Sequence, residues 1–462
     1  MSHTREIAKF VSGLGYGDIP GEAIERAKEI TLHAIAVAVA GSGVSTSQTA
    51  ARLATAGGGR PEASLWCGDA RVPAAEATFA NGAASDVLDW EDCAWTGHAS
   101  AGAIPAALAF SERQGLSGRR FLAAVVAAYE GYQRIAMALQ PDVDALLGEN
   151  RPWGLVSWQI FASAIAAGHA LGFDEGRMAA CVSAAAYATP NFRTEEGDGD
   201  LYHLAHGLCA RLGADCASLT EAGFEYFDNG LDDERYWRQL SNKVDWGWIG
   251  HGLGERWLIG ETLLKRWPAN VWAQAPLDAL DAIVRENGLA GDDITSIRVT
   301  PQVEIISADA KIPVTYMEAQ YSFRYLAAMY LTGLEPSAAW FSPGKIVDES
   351  IRKRSEIVSY PTPKVSALKM FEIFWQGTFP EVTVEVETRQ GGRYGRTLRH
   401  PKGHPRNRFT LGEVQGRAFD LIAPFKGEAR AGAFVEAVAR LEDLGDVRDW
   451  TDKLSPRGGA GR

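Results

Sequence analysis

The sequence predicts a mainly α fold with an α+β second domain: a large, discontinuous all-helical domain and a smaller α+β lid. Three observations predict it. From Ile7 to about Ala275, apolar residues recur at three- and four-residue steps in Ala- and Leu-rich segments. After Trp267-Pro268 alternating, strand-type patterning appears, and from Leu411 onward amphipathic helix patterning returns. At 462 residues the chain also exceeds the roughly 250–300 residues at which a single core stops growing. The expected division is 1–267 as the helical domain, with 403–462 packing back on it, and 268–402 as the lid.

The helices expected in the first part are Ile24–Ala40, Glu76–Asp89, Ile104–Ser111, Gly118–Ala138, Trp158–Leu171, Glu175–Ala188 and His203–Ala222. Glycine-containing turns such as Gly115-Leu-Ser-Gly118 and Gly172-Phe-Asp-Glu-Gly176 end several of them, as glycine at helix C-termini does. Short connections imply antiparallel neighbours. In the second part, Leu277–Asn287, Glu318–Leu331 and Lys364–Phe374 read as helices. Ile294–Ile306 alternates as a strand, and Val382–Arg399 reads as a hairpin turning at Gly391-Gly392.

A formal charge of −12 and the lack of any long Lys/Arg run argue against nucleic acid or an anionic membrane as partner. No apolar stretch approaches the roughly 20 residues that span a bilayer. The N-terminal residues show no secretory signal pattern, and five cysteines without a C-x-x-C pair suit a reducing compartment. A cytoplasmic protein is expected. Cys181, Cys209 and Cys216 read as small buried hydrophobes.

The chemistry is expected between Asn81 and Leu108, where four carboxylates, a thiol and a histidine crowd together. Asp86, Asp89 and Cys93 fall at i, i+3 and i+7, one face of a helix if the helix continues that far. Asp92 and Cys93 would then occupy its last turn, where the helix terminus raises carboxyl pKa values and favours a proton acceptor. His98 falls on the following loop near Asp89, and Ser100 with Pro105 marks the next helix start. Other motifs carry less. Gly57-Gly-Gly-Arg60 lacks the spacing of a phosphate loop, and Glu195, Glu196, Asp198 and Asp200 depart from a calcium loop. His203 and His206 have helical metal-ligand spacing but no HExxH frame, so neither metal nor cofactor is expected. No G-x-S-x-G elbow occurs.

An ordered series of motifs runs through the chain. It comprises Phe79-Ala-Asn-Gly82, LDWED at 88–92 followed by His98, IPAALA at 104–109, and HG-x-x-AR-x-G from His206. It continues through Lys265-Arg-Trp-Pro268, Glu318-Ala-Gln-Tyr-Ser-Phe323 and Gly403-His-Pro405. In these the chain resembles the MmgE/PrpD family of 2-methylcitrate dehydratases, cis-aconitate decarboxylases and iminodisuccinate epimerases. The resemblance implies a helical domain, an α+β lid, a site between them, a homodimer, and catalysis without cofactor. It places Asp89, His98 and Lys265 as catalytic residues.

Elsewhere the chain departs from the family's pattern. Asp86 stands where histidine is common, Cys93 where threonine is, Trp153 at the histidine of GFHxTG, and Tyr202 at a lysine. Asn270, Val271 and Gln274 replace a Cys, an Arg and a His. A tricarboxylate entering a pocket must exchange water for cations or donors. With Arg151, Arg193, His203 and Arg266 as the other nearby cations, a substrate less charged than methylcitrate is expected. Asp86, Cys93, Trp153, Tyr202, His203, His206, Arg266, Trp272 and Gln274 are expected to contact it, with Trp267 lining the same space.

The implied act is removal of a proton next to a carboxylate or carbonyl of a small molecule. Asp89 or His98 serves as base or acid, Asp89 orients His98, and Lys265 stabilises enolate-like charge. Dehydration is the leading reading. Epimerisation or isomerisation without elimination, decarboxylation, and a catalytically idle binding protein are the alternatives.

Overall fold

The computed structural model describes residues 2–139, 158–190, 200–224, 227–241, 243–307, 313–366, 369–370, 372–373 and 378–455. The expected contacts at Trp153, Arg151 and Arg193, and the acidic residues Glu195, Glu196 and Asp198, lie outside the described residues.

The first part is a helical array: α1 (His3–Gly13), α2 (Gly21–Ala40), α3 (Ser45–Ala56), α4 (Ala74–Asp86), α5 (Ser100–Gln114), α6 (Gly118–Ala138), α7 (Gln159–Ala170), α8 (Glu175–Tyr187) and α9 (Asp200–Glu221). Its core joins side chains such as Ile30, Phe121 and Ile165 to Ile422, Phe434 and Trp450. Those last three belong to the C-terminal helices, which therefore complete the first core. Among the described residues, no single helix is long and apolar enough to cross a membrane.

A second core lies under a four-stranded sheet. Its strands Ile294–Thr300, Val358–Ser359, Val382–Thr388 and Arg393–Leu398 stand in the order fourth, third, first, second. The Val382–Thr388/Arg393–Leu398 hairpin pairs antiparallel, Val382–Thr388 pairs antiparallel with Ile294–Thr300, and the Val358–Ser359 edge is parallel. Alternation put Val384, Val386 and Ile297 inside. Two expectations need correction here. Lys364–Val365 is a strand paired to Gln302–Val303, entered through Pro363 with the chain held extended, and the described residues of the expected helix are helical only from Lys369. The Glu318–Leu331 helix is broken into Tyr316–Gln320 and Phe323–Tyr330, Ser322 capping the second by accepting from the Tyr325 amide.

Two features set up the functional region. The second core is not confined to the C-terminal part: Val87, Leu88, Trp90 and Cys93 belong to it, together with Val37 and Ala40. The acidic segment is thus wedged along the seam between two cores. Helices α4 and α9 also cross with almost no separation. A Cβ on Gly207 would lie 2.5 Å from the Phe79 carbonyl oxygen, and one on Gly82 would lie 3.3 Å from the Gly207 Cα. Only glycine permits that approach. One helical turn from each, Asp86 and His203 are brought face to face.

Candidate active site

Helix α4 stops at Asp86, short of the expected Asp89. The physical reason is Asp89 itself, whose φ of 48° makes it the one non-glycine residue in the left-handed region among the described residues. Its amide donates to the Asp86 carbonyl at 2.8 Å, closing a turn. A left-handed aspartate is tolerated at a cost of about 1–3 kcal/mol, and such positions cluster at functional sites. Asp86, Asp89 and Cys93 therefore do not share a helix face, and Asp92 and Cys93 are not in a last helical turn. The chain reverses and runs extended. Asp92 and Cys93 pair with Leu264 and Leu263, and the Lys265 amide donates to the Glu91 carbonyl at 3.3 Å.

That ladder brings Lys265 to the acidic segment across 174 residues of sequence. Its Nζ donates to Asp89 Oδ1 and to Glu91 Oε1, the latter at 2.6 Å. The same Glu91 oxygen lies 2.6 Å from His98 Nδ1. It is Glu91, not Asp89, that orients the imidazole. Lys265 and Glu91 are wholly buried, Asp89 is 3% exposed, and His98, at 8%, keeps the most access of the four. The His98 loop is secured from behind, its carbonyl accepting from Gln159 Nε2.

Asp92 holds this scaffold together. One oxygen accepts from the Ser100 amide at 3.1 Å and the other from the Tyr129 hydroxyl at 2.6 Å, anchoring the start of α5 to α6. Helix α5 starts at Ser100, four residues before the expected Ile104, so Pro105 lies inside it rather than at its start.

Beside the Lys265 cluster stands a second group. Asp86 Oδ2 lies 2.5 Å from His203 Nδ1 and 3.5 Å from His206 Nε2. The His206 ring meets His98 edge-on at 5.6 Å, and the Tyr202 ring lies 5.2 Å from His203 and 5.4 Å from His206. Tyr316 stacks on His203 at 5.4 Å. Several buried polar atoms find no protein partner: Asp86 Oδ1, Asp89 Oδ2, Glu91 Oε2, His203 Nε2 and both His206 nitrogens. Such atoms are costly unless something polar meets them.

Electrostatics divides the labour among these groups. Burial raises the Asp89 carboxyl to about 6, against the lowering pull of Lys265. Burial acts downward on His98, yet the Glu91 carboxylate overrides it and raises the imidazole to about 9. Asp89 and Glu91 hold Lys265 well above its ordinary value despite burial. The neighbouring histidines hold Asp86 well below the carboxylate range, and Asp86 in turn raises His203. His206, 3.5 Å from Asp86 without a hydrogen bond, is pushed down by burial to about 4 and stands neutral. At neutral pH the cluster thus holds an ionised carboxylate, Asp89, beside a charged imidazolium, His98.

Asp86, Glu91 and His98 present ligand atoms within 4.8 Å of one another, compact enough for a divalent ion. Glu91 Oε1 is already shared by Lys265 and His98, and a protonated His98 cannot ligate. Cys93 is buried in the second core with its thiol pushed far above the ordinary range by burial, which makes it no nucleophile. Three residues expected at the substrate are engaged elsewhere. Gln274 binds the backbone of Arg266, Trp267 and Ala269, because a buried turn must satisfy its own amides and carbonyls. Trp272 packs on Phe379 at 5.4 Å. Arg266 pairs with Asp278 and Asp281 and lies over the Trp267 ring, whose Nε1 also donates to Asp278.

Glu91, Gln159 and Tyr321 were not singled out from sequence. Tyr321, hydrogen-bonded with Tyr202, lies in the quoted EAQYSF motif. For Glu91 the signal was the two-residue step from Asp89, legible only once that stretch is known to be extended.

Residues 5–241 match the family model of the MmgE/PrpD N-terminal domain, and residues 267–443 that of the MmgE/PrpD C-terminal domain. The chain belongs to the MmgE/PrpD family. Within it, the chain is 25% identical to human cis-aconitate decarboxylase over 354 residues, covering 72% of this chain and 71% of that protein. The second family model runs past the sheet into the C-terminal helices, so in this MmgE/PrpD chain the end of the second matched region returns to complete the first core.

Proposed function

We propose that this chain is an MmgE/PrpD-type lyase, a dehydratase acting on a small hydroxy acid or hydroxy carbonyl compound less charged than methylcitrate. The observation that carries the reading is the buried Asp89–Lys265–Glu91–His98 chain, with a base near pKa 6 and an acid near 9. Groups pushed apart in this way take opposite roles in one reaction.

Asp89 Oδ2, free of protein partners, takes the proton next to the carboxylate or carbonyl. The electron pair left behind forms the carbon–carbon double bond as the bond to the hydroxyl breaks. His98 donates its proton to the departing hydroxyl, which leaves as water. Glu91 positions both the imidazolium and the ammonium. Exchange with solvent then restores ionised Asp89 and protonated His98.

The charge ledger supports a lightly charged substrate. Lys265 is matched by Asp89 and Glu91, His98 by Glu91, and His203 by Asp86. Among the described residues, the cluster holds no uncompensated cation to replace the water stripped from several carboxylates.

Proton NMR in D₂O with a panel of 2- and 3-hydroxy acids tests the reading. New alkene signals, reduced by about 10²-fold or more in both Asp89→Asn and His98→Gln, are the expected result. Deuterium uptake without alkene would replace dehydration by epimerisation, and loss of carbon dioxide would replace it by decarboxylation. No change with any acid would overturn the enzymatic reading.

A further inference from the structure

Trp90, which follows Asp89 in the chain, also lines a groove with a cavity volume of about 910 Å³. None of Asp89, Glu91, His98 or Lys265 lines it. Trp90 and Trp267, both almost fully buried, form its floor, and Tyr330, Leu334, Arg417 and Leu421, with the carboxylates Glu335 and Asp420, line the rest. The aromatic floor is fixed. Trp90 Nε1 donates to the Arg266 carbonyl at 2.8 Å, and Trp267 Nε1 to Asp278 at 2.8 Å.

Arg417 is the exceptional member. Arg266, which also lines the groove, is neutralised by Asp278 at 2.9 Å and Asp281 at 2.6 Å. Arg417 spends only Nη2, on the Lys265 carbonyl at 3.3 Å and the Arg266 carbonyl at 2.9 Å. Among the described residues, no carboxylate lies within ion-pair distance of its guanidinium. It is held over the Phe409 ring at 4.7 Å and the Trp90 ring at 6.0 Å, so it is fixed in place rather than swinging in solvent. Burial without a paired carboxylate also brings its pKa down to about 10. A partly buried, immobilised cation whose Nε and Nη1 stay free is prepared to pair with an anion.

We propose that this groove binds a small amphipathic anion, whose flat or branched apolar body lies on Trp90, Trp267 and Leu421 while its carboxylate or sulfonate pairs with Arg417. Arg417 caps the Lys265 and Arg266 carbonyls, so the anion would sit against the back of the strand pair that delivers Lys265 to the acidic cluster. The site is distinct from that cluster and does not depend on which reaction the cluster performs.

The test is a fluorescence titration of the full chain with 8-anilinonaphthalene-1-sulfonate. One saturable site per chain is expected. Arg417→Gln is expected to weaken it about tenfold or more, and Leu334→Glu, at a half-exposed wall position, to weaken it similarly by repulsion. His98→Gln, in the other site, should leave it unchanged. N-phenyl-1-naphthylamine, the same ring system without the sulfonate, should bind at least about tenfold less tightly. Circular dichroism establishes that each variant is folded. Should Arg417→Gln not fold, Leu334→Glu and the neutral probe decide the matter. Equal affinity for both probes, or binding insensitive to the groove variants, overturns the proposal.

Discussion

Replacing Glu91 by Gln tests the site most directly, because it keeps the shape and removes one charge from the centre of the cluster. Glu91 Oε1 is shared at 2.6 Å by Lys265 Nζ and at 2.6 Å by His98 Nδ1. The rise of His98 from 6.5 to about 9 is worth about 3 kcal/mol in favour of imidazolium, at 1.36 kcal/mol per pH unit. Burial works against that rise, so the carboxylate contributes at least this much. Without it, burial is left opposed by Asp86, and His98 is expected to titrate about two or more pH units lower. Asp89 moves the same way. Its pKa of about 6 is raised in part by the Glu91 charge, and losing that charge lowers it.

The pH dependence of kcat/KM should therefore move bodily. In the wild type the acid limb falls near 6 and the basic limb near 9; in Glu91→Gln both shift down. At pH 8 the variant should lose about tenfold or more in kcat/KM, with partial recovery near pH 6. Stability carries the same signature. A folded pKa above the unfolded value gives stabilisation that is full below about 6.5 and lost as pH rises through about 9. Wild-type stability should thus decline across that window, and the variant should lack the decline. Profiles from initial rates and urea titrations measure both. Limbs that stay in place, with activity merely scaled down, would refute the argument that Glu91 sets the protonation of His98.

Gln274→Ala strips partners from the Arg266 and Trp267 amides and the Trp267 and Ala269 carbonyls, so thermal unfolding should show a loss of about 3 kcal/mol or more. Cys93→Ala should leave kcat/KM within about threefold, and iodoacetamide should not inactivate the native chain, because a buried thiol so far above its usual pKa supplies no thiolate. His33 is buried against the Trp90 carbonyl at 2.7 Å with its pKa driven to about 3. That contribution is present above about 6.5 and is lost as pH falls toward 3. Urea titrations between pH 6.5 and 4 should show His33→Gln losing about 1.4 kcal/mol less per pH unit than wild type.

Helices with strong 3.6-residue periodicity were legible from sequence. Gly118–Ala138 was read to its ends, and the hairpin at Gly391-Gly392 was signalled by alternation on both sides. The segment that matters most is not legible in this way, since Val87, Leu88 and Trp90 continue an apolar pattern that a helix could use. The turn at Asp89 depends on side chains that pack only when the second core is present. The family resemblance supplied Lys265, because no local pattern links residues brought together across that much chain. Gln274 shows the opposite case. A family position suggested contact with substrate, whereas the backbone of its own turn uses every hydrogen bond it makes.

The balance of charges in the cluster bears on rate as well as on substrate choice. Before reaction, the Lys265 ammonium is offset by two carboxylates, and an anionic substrate gains little from it. In the proposed reaction Asp89 becomes neutral as it takes the proton, and one of those offsets disappears at the moment negative charge grows on the substrate. The net positive potential of the site therefore appears in the transition state and not in the ground state. Interactions with that timing lower the barrier rather than only tightening binding. They also require Asp89 to touch the ammonium and reach the substrate at once, which its left-handed turn and its two unequal oxygens, one on Lys265 and one without a protein partner, allow.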